Sequence, residues 1–381
     1  MPLLLASSYS KRHYGVVRQR SSKLPARKIT TNPRARRAAA DVVAENISVL
    51  AAAVVEHQYQ AESSWKRYAN RGRARCVEDT EYHLEFLIEA LNAGSIGQFV
   101  DYCGWAKVLL TSRGIDVDHL IQNLKHIQAA LKSKLSKQHF ALADTYLSAG
   151  LKALLALPAS LPSFISSERP YAEIANAYLQ SLLLFDSGRA SEIVIKASND
   201  GASVKDIYRH IITPAQHEVG RLWHLGQLTV AHEHYCTAAT EVVMAELFRH
   251  LVLSSPPRER RVMCFCVEGE RHCIALKMFA HLLTLEGWAS TYLGADTPTS
   301  SAIQLISKEK PALIAVSVTF PKNVRSLENL LRELRARPEG EKMKVLIGGR
   351  ATSSELCRRV GADGYAENIG DAVDVAVRLA A

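Results

Sequence analysis

Two stretches of this 381-residue chain hold residue types suited to metal and ligand chemistry. In one, Glu270-Arg271-His272-Cys273-Ile274-Ala275 stands directly behind the apolar run 262–267. A neutral imidazole is a good ligand for a transition metal. A carboxylate on its other ring nitrogen fixes the tautomer and raises its basicity, which Glu270 can do for His272 from two residues away. Further along, Ser317-Val318-Thr319 and Gly348-Gly349 each close an apolar run. Hydroxyls there can hydrogen-bond a polar ligand edge, and paired glycines admit a bulky flat group against the backbone. In the other stretch, Trp223 is followed after nine residues by Glu233-His234, an aromatic plate ahead of an acid–imidazole pair, with His224 beside the tryptophan. Each motif alone fits a loop histidine, an ordinary strand-end glycine pair or a helix-end cluster. Their order along the chain singles them out.

The elements that must position these residues follow from periodicity. Residues 258–381 alternate strand-like and helical runs, with strands at 262–267, 289–293, 313–318 and 344–347 and a shorter fifth at Gly364-Tyr365. This predicts an α/β domain, a doubly wound, flavodoxin-like (Rossmann-like) parallel sheet whose ligands bind beyond the carboxyl ends of the strands, at the switch point between the first and third. His272 follows the first strand, Ser317 and Thr319 end the third, and Gly348-Gly349 ends the fourth, so all face one crevice. Residues 171–255 have helical spacing broken at Gly188, Asn199-Asp200-Gly201 and Gly226, which predicts a four-helix cap. Residues 158–170, rich in proline and serine, read as a linker. Residues 41–157 predict an all-α bundle, with helical runs at 44–57, 82–92, 96–111, 117–133 and 137–155.

Composition agrees with several domains. Hydrophobic residues make up 48 %, ample for buried cores. The formal charge of +9 is concentrated: residues 1–40 hold ten Lys/Arg and no acid, leaving the remainder one charge negative. That basic segment predicts a disordered tail, the one part from which nucleic-acid contact is expected. The longest apolar run of the body, 49–55, is far below the ~18 residues of a membrane helix, so no membrane partner is expected. Seven scattered cysteines show neither zinc spacing nor a disulfide framework and point to the reducing cytoplasm.

With these residues in place, a resemblance can be named. Residues 168–381 resemble the cobalamin-binding module of methionine-synthase type, whose pattern is Asp-x-His-x-x-Gly, then Ser-x-Leu or Ser-x-Thr, then Gly-Gly. The resemblance implies that His272 is the lower cobalt ligand, with Glu270 bonded behind it, and that Ser317, Thr319, Gly348 and Gly349 line the groove for the cofactor's displaced tail. Two positions depart from the pattern: Glu270 for Asp, which preserves the chemistry, and Ala275 for Gly, which adds a methyl group. Trp223 with Glu233-His234 is similar to the signature of the adenosylcobalamin-dependent photoreceptors. By that resemblance Trp223 covers the adenosyl group, Glu233 and His234 hold it, and His224 takes the upper cobalt position after light.

Residues 82–105 are similar to globin-like helical sensor domains, and no helix–turn–helix with a basic recognition helix is evident. A helical sensor joined to a cap and a cobalamin domain is similar to the photocobilins, which pair cobalamin with biliverdin. On that architecture Tyr82, His83, Tyr102 and Trp105 are the residues expected near a bilin; a plain dimerisation bundle is the alternative. The expectation is therefore a non-enzymatic light sensor with adenosylcobalamin, and biliverdin as second chromophore. No catalytic domain follows residue 381, so its signal is expected to leave through a light-dependent homo-oligomer, a dimer by default, or a separate protein partner. Two alternatives stand beside it: a corrinoid carrier in a methyl-transfer system, and a light-independent sensor of cobalamin or redox state.

Overall fold

The computed structural model describes residues 32–61, 69–157, 161–252 and 260–380. It divides into two units: residues 1–162 with 224–227, and residues 163–223 with 228–381.

The first unit is helical. Its elements are α1 (Pro33–Glu45), α2 (Ile47–Ala61), α3 (Ala69–Ala93), α4 (Ile96–Thr111), α5 (Val117–Lys134) and α6 (Lys137–Leu154). Side-chain oxygens of Asn32, Ser95, Asp116 and Ser136 accept backbone N–H groups at the starts of α1, α4, α5 and α6, supplying partners that a helix's first turn lacks. The disordered tail expected over residues 1–40 does not extend to residues 33–40. Residues 33–40 open α1, with Pro33 at the favoured first helical position. Arg36 is 5 % exposed and its Nε donates to the Leu91 carbonyl near the end of α3, 3.2 Å away. A cation there completes a helix terminus and is no longer a free tail charge. Gly94 has φ +64°, and a Cβ on it would lie 2.5 Å from the Arg36 guanidinium. Residues 1–31 lie outside the described residues.

In the second unit, α7 (Ala172–Leu183), α8 (Ser187–Asn199), α9 (Val204–Asp206), α10 (Thr213–His224, its last residue counted with the first unit) and α11 (Val230–Val252) form the four-helix cap. α9 runs through a π-helical turn (Ile207–Ile212) into α10 as one helix. The sheet consists of β1 (Arg260–Val267), β2 (Trp288–Thr297), β3 (Leu313–Ser317), β4 (Lys344–Gly348) and β5 (Gly364–Ala366). Its order is 2-1-3-4-5 and all four pairings are parallel, the expected flavodoxin-like arrangement. Side chains alternate across a strand. Val262, Cys264 and Cys266 of β1 therefore join the core shared with α12 (Ile274–Leu285), α16 (Ile369–Leu379) and the cap. Met263, Phe265 and Val267 join the opposite core with α13 (Thr299–Glu309), α14 (Val324–Arg335) and α15 (Ser354–Val360). Both faces of β1 are covered, which is why it reads as an unbroken apolar run. All seven cysteines are free thiols. Among the described residues, no single helix is long and apolar enough to cross a membrane.

Phe265 is completely buried at the middle of this sheet. Phe265→Ala should cost about 3–5 kcal/mol, read as a lower urea midpoint of unfolding.

Candidate cofactor site

The site is built at the switch point, where β1 and β3 lie side by side while their connections run in opposite directions. Behind β1 the chain turns through Gly269, at φ +83°, and is pinned twice: Gly269 N–H donates to the Asp296 carboxylate at 2.6 Å, and Asp296 N–H to the Glu270 carbonyl at 2.8 Å. This loop delivers Glu270 into the protein interior, where it is 0 % exposed.

An isolated buried carboxylate would be costly. Glu270 is not isolated. Its Oε1 lies 2.6 Å from His272 Nδ1 and accepts the His272 backbone N–H at 3.0 Å. Its Oε2 accepts the backbone N–H groups of Thr319 (2.7 Å) and Phe320 (2.9 Å) and the side-chain amide of Asn323 (3.1 Å). Burial alone would raise its pKa; the hydrogen bonds and the charge interaction with His272, with the backbone donors, outweigh it and hold the group at about 2. An ionised carboxylate only accepts, so His272 Nδ1 carries the ring proton and Nε2 has the lone pair that a metal would take. The imidazole side chain remains 25 % exposed, with Phe320 at 5.1 Å between ring centroids.

Strand register brings the expected groove residues together. Ser317 pairs with Cys266 on one side and Gly348 on the other. Two of these residues also serve the protein's own structure. Thr319 binds Glu270 through its backbone N–H. Gly349, at φ +96°, serves its own backbone: a Cβ there would stand 2.4 Å from the Val318 carbonyl oxygen. A Cβ on Gly348 would meet only the Ala366 carbonyl oxygen at 3.6 Å, an ordinary contact, so Gly348 is the glycine available to a flat ligand. Sequence reasoning missed Phe320, Asn323, Asp296 and Gly269. The turn-forming Pro321 two residues before Asn323 marks the loop, but nothing in it announces a partner fifty residues upstream.

In the cap, Trp223 is 3 % exposed, and Glu233 Oε2 lies 2.6 Å from His234 Nδ1 while Thr237 donates to Oε1 at 3.0 Å. His224 is placed differently from expectation. It is fully buried in the first unit, with Nε2 2.9 Å from the Trp105 carbonyl and its ring stacked on Trp105. The residue nominated for the upper cobalt position thus lies against one of those nominated for a bilin. His83 Nδ1 lies 2.5 Å from the Tyr102 hydroxyl, and burial pulls its pKa down to about 3. Tyr102 stacks on Phe86 and Trp105. Tyr82, His83, Tyr102 and Trp105, the residues expected near a bilin, are all at most 8 % exposed and belong to the bundle's buried core.

Among the described residues no group of three or more His, Cys, Asp or Glu could hold a metal ion. A lone imidazole backed by a buried acid suits a metal that arrives with most of its ligands, as in a macrocycle, and so fits cobalamin.

Comparison with known proteins agrees. Residues 174–247 and 260–374 each match a family model described as a B12 binding domain. The trimethylamine corrinoid protein of Methanosarcina barkeri is 25 % identical over 213 residues, 53 % of this chain and 94 % of that protein. The HTH-type transcriptional repressor CarH of Myxococcus xanthus is 27 % identical over 196 residues, 50 % of this chain and 64 % of that protein. The solved Methanosarcina barkeri monomethylamine corrinoid protein shares the fold, with a TM-score of 0.50 at 20 % identity over 55 % of this chain and 100 % of that one. The chain carries paired helical and α/β domains of the B12-binding family and is a cobalamin-binding protein.

Proposed function

We propose that this chain is a corrinoid carrier: it holds cobalamin through His272 Nε2 and presents it to a partner in methyl transfer, without being an enzyme itself. The observation that carries this reading is the buried Glu270 fixing the His272 tautomer. The similarity to proteins named as corrinoid proteins, over nearly their whole length, supports the carrier role. Cobalamin supplies a cobalt–carbon bond whose alkyl group can be donated or released by light. The protein's part is to supply the lower ligand, exclude water behind it, and keep Ser317, Thr319 and Gly348 as one edge of the tail groove.

A second reading, a light sensor using adenosylcobalamin, is favoured by the buried Trp223 with the Glu233–His234 pair and by the similarity to CarH. Biliverdin in the bundle belongs to that reading alone. So does a light-dependent homodimer or other downstream partner. Light scattering of protein loaded with adenosylcobalamin, before and after complete photolysis, separates the two: unchanged mass and radius support the carrier, and a change supports the sensor. A red-shifted band retained on gel filtration after co-expression with a haem oxygenase would add biliverdin to the sensor.

His272→Ala should release cobalamin during gel filtration under conditions in which the wild type retains it. Glu270→Gln cannot act as a charged acceptor and should weaken retention about 10–100-fold, measured by equilibrium dialysis. It should also destabilise the apo-protein by about 3 kcal/mol at neutral pH. The folded-state pKa of Glu270 lies below its ordinary value, so its stabilisation is present above that value and is lost as pH falls towards 2. Urea midpoints of wild type and Glu270→Gln should therefore converge between pH 5 and about pH 2.

A further inference from the structure

α12 opens two residues behind His272, and Cys273, Lys277 and His281 follow one another at the four-residue spacing that keeps side chains on one face of a helix. That face is polar, although α12 is otherwise apolar and buries Leu276, Phe279 and Leu283. Each of its three residues meets the cap, inside the second unit. The Cys273 thiol donates to Glu241 Oε1 of α11 at 3.9 Å, and Lys277 Nζ lies 3.6 Å from the same oxygen. His281 is held by two cap helices. The Phe248 ring of α11 stacks on it with centroids 4.0 Å apart, and its Nδ1 lies 2.7 Å from the hydroxyl of Tyr208, a fully buried residue of the π-helical turn. There the Thr213 N–H reaches back five residues to the Tyr208 carbonyl, so the helix takes in an extra residue where it meets α12. Just beyond, the Thr213 hydroxyl donates to Met278 Sδ at 3.8 Å. Burial, helped by the Lys277 charge, pulls the His281 pKa down to about 4, so the ring is neutral at ordinary pH.

Apolar packing is non-directional and defines the register of two helices less sharply than hydrogen bonds do, which hold only within a narrow range of distance and angle. A slip here would leave a buried phenol and imidazole without partners. We propose that Cys273, Lys277 and His281 form a registering seam that fixes α10 and α11 along α12. They are positioning residues, with Glu241, Phe248 and Tyr208 as their cap partners. α10 carries Trp223 near its end, α11 carries Glu233–His234 near its start, and α12 leads back to His272. On the cobalamin reading, the seam sets the clearance between those cap residues and the lower ligand, and with it the size of the upper group that cobalt can carry into the site.

Two measurements on the full-length protein test this separately. In the apo-protein, amides of 208–216 and 277–285 should exchange hydrogen about fivefold faster or more in Tyr208→Phe, which loses one buried hydrogen bond, and in His281→Leu, with α13 and α14 of the opposite core unchanged. His281→Asn, whose side-chain amide reaches the Nδ1 position, should keep most of the protection. With cofactor, adenosylcobalamin and methylcobalamin present the same lower face and differ only in the upper group, so a general loss of stability would weaken both alike. The ratio of their dissociation constants should shift about fivefold or more in Tyr208→Phe and His281→Leu and stay near the wild-type value in His281→Asn. Should His281→Leu not fold, Tyr208→Phe removes a single hydroxyl and carries the test. Unchanged exchange, or an equal rise in α13 and α14, would overturn the seam, and faster exchange with an unchanged ratio would overturn its control of the clearance. A wild type that binds neither cobalamin would overturn the cobalamin reading and the clearance with it, and the exchange result would still decide the seam.

Discussion

A buried carboxylate decides how the α/β domain is arranged. Glu270 is ionised and out of water, and that is tolerable only because donors from two loops converge on it: Thr319, Phe320 and Asn323 behind β3, and His272 in its own loop. Each donor sits in a loop at the carboxyl end of a strand. The parallel order of β1 and β3 is what places those loops together. The carboxylate in turn fixes which imidazole nitrogen carries the proton, so the same cluster that closes the crevice sets the chemistry of the ligand it presents.

Much of this was legible in the sequence. Strand-length Val/Ile runs predicted the sheet and its order, because strands buried on both faces need unbroken apolar residues. The Glu270–His272 pairing could be read from their spacing, since both lie in one short loop. What stayed hidden was non-local. Asn323 is an ordinary turn residue until the fold brings it to Glu270, and Gly349 reads as a ligand-facing glycine until the Val318 backbone is seen against it. Arg36 read as tail charge because composition weighs residues singly, and only its contact with the end of α3 shows it to be structural.

The first half of the chain shows the same limit more sharply. Aromatic and histidine residues on helices are the types that line a chromophore pocket, and they are also the types that fill a helical core. Tyr102, stacked on Phe86 and bonded to His83, takes the second role. His224, adjacent in sequence to a cap tryptophan, is committed to Trp105 nearly 120 residues away. Sequence neighbours thus serve different units, which motif spacing alone does not reveal.

The central claim is that His272 supplies the lower ligand to cobalt. It is tested most directly by electron paramagnetic resonance of the protein loaded with cob(II)alamin and grown with ¹⁵N-labelled histidine. The account predicts a nitrogen splitting that changes from triplet to doublet on labelling and vanishes in His272→Ala. A triplet that the label leaves untouched would mean that the cofactor keeps its own base, and would contradict the account.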